Sequence, residues 1–121
     1  MKILITNDDG IYARGLWCLA EALRQVGDVT VCAPDREQSG VGTAVSLHTP
    51  VRVNSVVPQV ADIPTYAVEG TPSDSVVLAL ESLMPGGVDL LFSGINEGAN
   101  LGNDALISGT IGAALQGYFR V

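Results

Sequence analysis

Residues Lys2–Gly15 read KILITNDDGIYARG. Lys2–Thr6 is a short, almost continuously apolar run, the pattern of a strand covered on both faces. Two adjacent carboxylates, Asp8 and Asp9, then stand between Asn7 and Gly10. Leu16, Leu19, Ala20, Leu23 and Val26 follow at helical spacing, and Gly27 stops them. A buried strand, an acidic turn and an amphipathic helix make the opening unit of an α/β fold.

The same alternation continues along the chain. Val29–Ala33 is a second apolar run, closed by Pro34, and residues 35–42 form a polar loop containing glycine. Pro50 to Pro64 is irregular, with strands expected at Val51–Val53 and, just beyond, at Tyr66–Val68. Thr71 is placed to cap a helix, with Pro72 at its first position and Asp74 three residues past the cap. Val76, Val77, Leu80 and Leu83 give that helix its apolar face until Pro85–Gly87 ends it. Val88–Phe92 reads as another buried strand, Ser93–Gly109 as a long loop rich in Gly and Asn, and Thr110–Phe119 as a final helix. This order predicts an open α/β domain with a mainly parallel sheet. Ligands gather beyond the carboxyl ends of such strands. Three of those ends run into polar loops: TNDDG, APDREQSGVG and SGINEGANLGNDALISGT.

Composition narrows the classes of function. The 121 residues fit one domain or part of one. With 47% hydrophobic and 16% charged residues and a mean hydropathy of +0.35, a core can be buried. The net charge of -7, with a single Lys and five Arg, provides no basic footprint for a nucleic acid duplex. Cys18 and Cys32 show neither a disulfide framework nor a Cys/His metal pattern, which predicts free thiols in a reducing compartment. With no charged leader and no apolar run of membrane length, the chain is expected to be cytoplasmic and to engage no membrane.

Neighbouring strand residues point to opposite faces. Bringing Asp8 and Asp9 together therefore needs a turn, for which Gly10 supplies the permissive backbone. Converging carboxylates repel, so a proton or a cation must join them. The alternative is an Asx-type turn capping the first helix, the acids being favoured by its dipole. Ser39 and Asn96 lie in the other two loops, and each alone reads as an ordinary loop residue. With Asp8 and Asp9 on one predicted edge they make an all-oxygen donor set, which suits Mg²⁺, Mn²⁺ or Ca²⁺ and not Zn²⁺. Ser108, Gly109 and Thr110 stand just before the final helix, where backbone N–H groups and two hydroxyls suit a phosphate. The plain alternative there is a Ser/Thr cap.

A hard cation beside an anion cradle predicts metal-assisted hydrolysis of a phosphate ester. Asp8, Asp9, Asn96 and Ser108 are the expected catalytic residues, with Asp8 the first candidate for proton acceptor. His48 has no nucleophile or acid pattern around it and reads as structural, Trp17 reads as packing, and Arg36 and Glu37 as a solvated pair. A response-regulator receiver domain also carries acids after its first strand. It needs an Asp at the end of the third strand and a Lys after the fifth, whereas Val88–Phe92 runs into Ser93 and the only Lys is Lys2. No G-x-G-x-x-G follows the first strand and no P-loop occurs. A non-catalytic metal-binding or assembly fragment is the remaining alternative, separated from the enzyme by an assay for phosphatase activity.

Four stretches in order, ITNDDGIYARGLWCLAEAL, VTVCAPDREQSGVGTAVSL, YAVEGTPSDSVVLAL and DLLFSGINEGANLGNDALISGTIGAALQG, resemble the survival protein E (SurE) nucleotidases. The resemblance implies a Rossmann-like three-layer sandwich that hydrolyses nucleoside 5′- and 3′-monophosphates with a divalent metal, some members also cleaving short polyphosphate. It implies metal ligation by Asp8, Asp9, Ser39 and Asn96. It also implies phosphate contacts from Ser108, Gly109 and Thr110, with Asn96 serving both and with Asn7 and Gly40 beside the site. Thr43 and Ala44 stand where family members often carry His and Ser, and Ile107 where Tyr is common. Family members continue past the GAALQGY helix with more sheet and an arm used for oligomers. Residues 1–121 are thus expected to be the N-terminal part of such a domain, truncated at the C-terminus, with a homodimer or homotetramer as the full-length form.

Overall fold

The structure is a computed structural model that describes residues 1–37, 52–84 and 86–95. Strand β1 (Lys2–Thr6) is buried from Ile3 onward and leads into helix α1 (Arg14–Leu23). Strands β2 (Asp28–Pro34), β3 (Val53–Ser55) and β4 (Thr65–Val68) follow. Helix α2 (Pro72–Leu78) continues into a π-helical turn over Ala79–Leu83, and β5 (Leu90–Ser93) completes the sheet.

The strand order is β3-β4-β2-β1-β5. β1 runs parallel to β2 and to β5, and β2 parallel to β4, while β3 is antiparallel to β4. From β1 the chain moves outward through β2 to β4 and then returns, by way of α2, to β5 on the other side of β1. The direction of winding therefore reverses between β1 and β5, the topological switch point of a doubly wound sheet. Parallel strands joined this way need a helix over each face, and both faces are covered. Ile3, Ile5, Val29, Val31 and Ala33 pack under α1 through Leu16, Trp17 and Ala20. Leu4, Cys32 and Val68 pack on the other face against Ala79 and Met84. This is a Rossmann-like, three-layer α/β arrangement, as expected.

The element ends differ in places from expectation. β2 and β4 extend to Asp28–Pro34 and Thr65–Val68 because pairing with β1 and β2 carries them on. β3 lies at Val53–Ser55 because its ladder with β4 pairs Val53 with Val68; Val51 lies outside the described residues. β5 starts at Leu90, two residues later than expected. α1 stops at Leu23, leaving Val26 58% exposed beyond the helix. The expected helix over residues 110–119 lies outside the described residues. Among the described residues no helix is long and apolar enough to cross a membrane.

Candidate active site

β1 delivers Asn7, Asp8, Asp9 and Gly10 to the carboxyl edge of the sheet, beside the switch point. Asn7 closes the turn. Its Oδ1 accepts from Gly10 N at 3.2 Å and its Nδ2 donates to Gly10 O at 3.0 Å, all of it buried. Gly10 has φ +108°, and a Cβ there would lie 3.1 Å from the Arg36 carbonyl carbon. The positive φ favours glycine, and the close approach of the Arg36 backbone adds to it. Ile11 N then donates to Pro34 O at 2.7 Å, tying the turn to the end of β2. Trp17 is buried, so it packs as expected, and it also braces the turn by donating its indole N–H to Ile11 O at 2.6 Å.

The cap of α1 is Ala13, with no side-chain hydrogen bond to the helix start. The Asx-type turn at this corner is made by Asn7. Asp8 is only 3% exposed, and its Oδ1 is a buried atom with no hydrogen-bond partner among the described residues. Asp9 beside it is half-buried. A buried carboxylate oxygen without a donor is costly unless a cation or an ordered water meets it. The donor chemistry fits a hard divalent cation, which takes carboxylate oxygens directly.

The other strand ends converge on this turn. Thr6 is registered against Ser93, and Gly94 N donates to Thr6 O at 2.9 Å, which carries the β1–β5 pairing past the strands. Ile95 then sits against the start of α1, where a Cβ on Gly15 would collide with the Ile95 carbonyl oxygen. On the β2 side, Glu37 N lies 3.4 Å from the position of a Gly10 Cβ. The described chain thus brings residue 37 to the acidic turn and residue 95 to the start of α1 that follows it. Ser39 and Asn96, which follow them, lie outside the described residues, as do Gly40, Thr43, Ala44, His48, Ile107, Ser108, Gly109 and Thr110. Of the predicted ligands only Asp8 and Asp9 are described, and they are adjacent. Among the described residues no three His, Cys, Asp or Glu side chains gather as a metal cluster. The predicted set contains only two such residues.

Two further hydroxyl residues of this edge escaped the sequence reading. Thr6 and Ser73 are fully buried, and their hydroxyl oxygens have no hydrogen-bond partner among the described residues. The only signal for Thr6 was a hydroxyl closing an otherwise apolar strand. Arg36 pairs with Asp35 at 3.4 Å and not with Glu37. A cleft of about 390 Å³ lined by Arg24, Asp28, Asp62 and Pro64 lies at the amino ends of β2 and β4, across the sheet from the acidic turn.

Comparison with known proteins agrees with this geometry. The sequence model of the family described as "Survival protein SurE" matches residues 3–121. The chain is 58% identical over 120 residues to the 5′-nucleotidase SurE of Dehalococcoides mccartyi, covering 99% of this chain and 45% of that protein. It is 48% identical over 120 residues to the 5′-nucleotidase SurE of Vibrio cholerae, covering 98% and 46%. The crystal structure of the SurE protein from Aquifex aeolicus superposes with a TM-score of 0.84 at 40% identity, over 97% of this chain and 46% of that one. The chain therefore spans about half the length of the relatives it matches. A match along nearly the whole sequence, on a doubly wound sheet whose switch point carries the NDDG turn, makes this chain a member of the SurE family.

Proposed function

We propose that residues 1–121 are the N-terminal part of a SurE-like nucleotidase domain and carry its metal and phosphate machinery. The reaction is hydrolysis of nucleoside 5′- and 3′-monophosphates, extending to short polyphosphate. The observation that carries this is Asp8: a carboxylate buried beside Asp9 at the switch point, with one oxygen that has no hydrogen-bond partner among the described residues. Relatives named 5′-nucleotidase support the substrate class.

Asp8 and Asp9 would hold the cation, Mg²⁺ or Mn²⁺ with Ca²⁺ as the further candidate, and Ser39 and Asn96 would complete its donors. When bound, the cation supplies positive charge to phosphoryl oxygens and acidifies water at the site. The Asn7–Gly10 hydrogen bonds fix the direction in which the two carboxylates leave β1, so the substrate meets charges that are already placed. Ser108, Gly109 and Thr110 would hold the phosphate through backbone N–H groups and hydroxyls, Asn96 serving both roles. A homodimer or homotetramer and a cytoplasmic location complete the reading. The latter is supported by two free thiols, one exposed and one buried.

The test is phosphate release from the 5′- and 3′-monophosphates of adenosine and guanosine with Mg²⁺, with Mn²⁺ and with excess EDTA. Release should vanish in EDTA and return with metal, and Asp9→Asn should lower it on the order of 100-fold, at least the effect of losing a residue that supports a ligand. Full metal-dependent turnover in Asp9→Asn would refute the ligand scheme. Cation binding by the full chain without release from any of the four nucleotides would favour the assembly reading.

A further inference from the structure

Among the described residues three buried side-chain oxygens have no hydrogen-bond partner in the protein: Thr6 Oγ1, Asp8 Oδ1 and Ser73 Oγ. The topology sets the residues that carry them at one edge of the sheet. β1 alternates between the two faces, with Ile3 and Ile5 under α1 and Leu4 on the face of α2, so Thr6 falls on the α2 face. Thr6 is registered with Ser93 on one side. Continuing the β1–β2 register sets it beside Cys32 on the other, and the Cys32 thiol reaches the Ser75 carbonyl at 3.4 Å. α2 therefore lies over this part of the sheet. Ser73 is in the first turn of α2, the end that enters from the carboxyl edge after β4. Asp8 lies two residues past Thr6 at that same edge.

Buried hydroxyls are nearly always satisfied, by protein or by ordered water. A buried water needs two to four polar partners. Two hydroxyls and a carboxylate oxygen at one edge supply such a set, and all of the unpartnered buried side-chain oxygens among the described residues are found there. Groups that hydrogen-bond a metal ligand orient it, and losing one weakens metal binding by about 10- to 100-fold. We propose that Thr6 and Ser73 are positioning residues for Asp8, acting through one buried water that their hydroxyls share with its carboxylate. A carboxylate offers about four lone-pair sites over two oxygens, so Asp8 can meet this water and a cation together. The inference rests on the reading of Asp8 as a metal ligand.

The test uses the full chain, with Mn²⁺ affinity read by calorimetry, thermal unfolding read without metal, and a high-resolution crystal structure of the parent. Thr6→Val and Ser73→Ala each delete a hydroxyl at nearly constant size, while Thr6→Ser retains it. The expected result is a Kd for Mn²⁺ about 10-fold higher in Thr6→Val and in Ser73→Ala but not in Thr6→Ser. The parent crystal should show a water within hydrogen-bonding distance of all three oxygens. Hydroxyls that are merely unpaired give the opposite pattern, an unchanged Kd and a higher unfolding temperature once they are removed, and the proposal is then wrong. Should Thr6→Val fail to fold, Ser73→Ala decides alone. A parent that binds no divalent cation overturns the metal reading and this role with it. A parent that binds the cation, with both variants at parental affinity, overturns only the positioning role.

Discussion

Burial separates the two cysteines in a way that solution chemistry can read. Cys32 lies in β2 with no exposed surface, and burial pushes its thiol from 9.0 up to about 12. Cys18 is exposed on α1. A thiol reagent at about pH 8 should therefore label Cys18 and spare Cys32 until the chain is unfolded, as counted by mass. Linkage adds a stability consequence with a definite sign. Between pH 9 and pH 12 the unfolded chain releases the Cys32 proton that the folded chain keeps, so stability is full below that window and falls across it. Urea unfolding at several pH values should show this fall in the parent and a shallower one in Cys32→Ala. An equal slope in both would assign the loss to another group.

At the scale of elements, α2 begins where local chemistry dictates. Thr71 Oγ1 accepts from Asp74 N at 3.1 Å and Asp74 Oδ2 accepts from Thr71 N at 2.9 Å, a reciprocal capping box. Thr71→Ala leaves the Asp74 N–H without its acceptor and should cost about 1 kcal/mol, read as a lower urea midpoint at constant slope, with Thr71→Ser near the parent. That box spans four residues, and for this reason it was legible in the sequence, as were strands covered on both faces. Features set by a distant partner were not. β3 takes its span from β4, and α2 runs on into a π-helical turn closed by Met84 N donating to Ala79 O at 2.8 Å, which no apolar spacing indicates. At the site, Asp8 and Asp9 were legible as an acidic pair at a strand end. That Asn7 closes the turn required its geometry, and Thr6 and Ser73 carried almost no signal because hydroxyls in apolar elements are common.

The whole molecule is tied together at the switch point, where α1, β1 and β5 meet within a few residues. Gly94 N reaches Thr6 O at 2.9 Å, and the Ile95 carbonyl occupies the space that a Cβ on Gly15 would need. Gly15 is the second residue of α1, a position where alanine would ordinarily help by up to about 1 kcal/mol through helix propensity. Here the close approach of backbone outweighs propensity, because the atom in the way belongs to a main chain and not to a flexible side chain that could swing aside. Gly15→Ala should therefore destabilise the fold by about 1–3 kcal/mol, the cost of overpacking a well-filled contact. The residue displaced is Ile95, which immediately precedes Asn96, so the same substitution should also weaken Mn²⁺ binding, measured by calorimetry on protein that remains folded. A Gly15→Ala protein more stable than the parent and equal to it in Mn²⁺ affinity would show that the start of α1 and the ends of the central strands are not mechanically coupled. A loss of stability together with a loss of affinity would establish that the packing which winds the sheet in two directions also holds the candidate site in place.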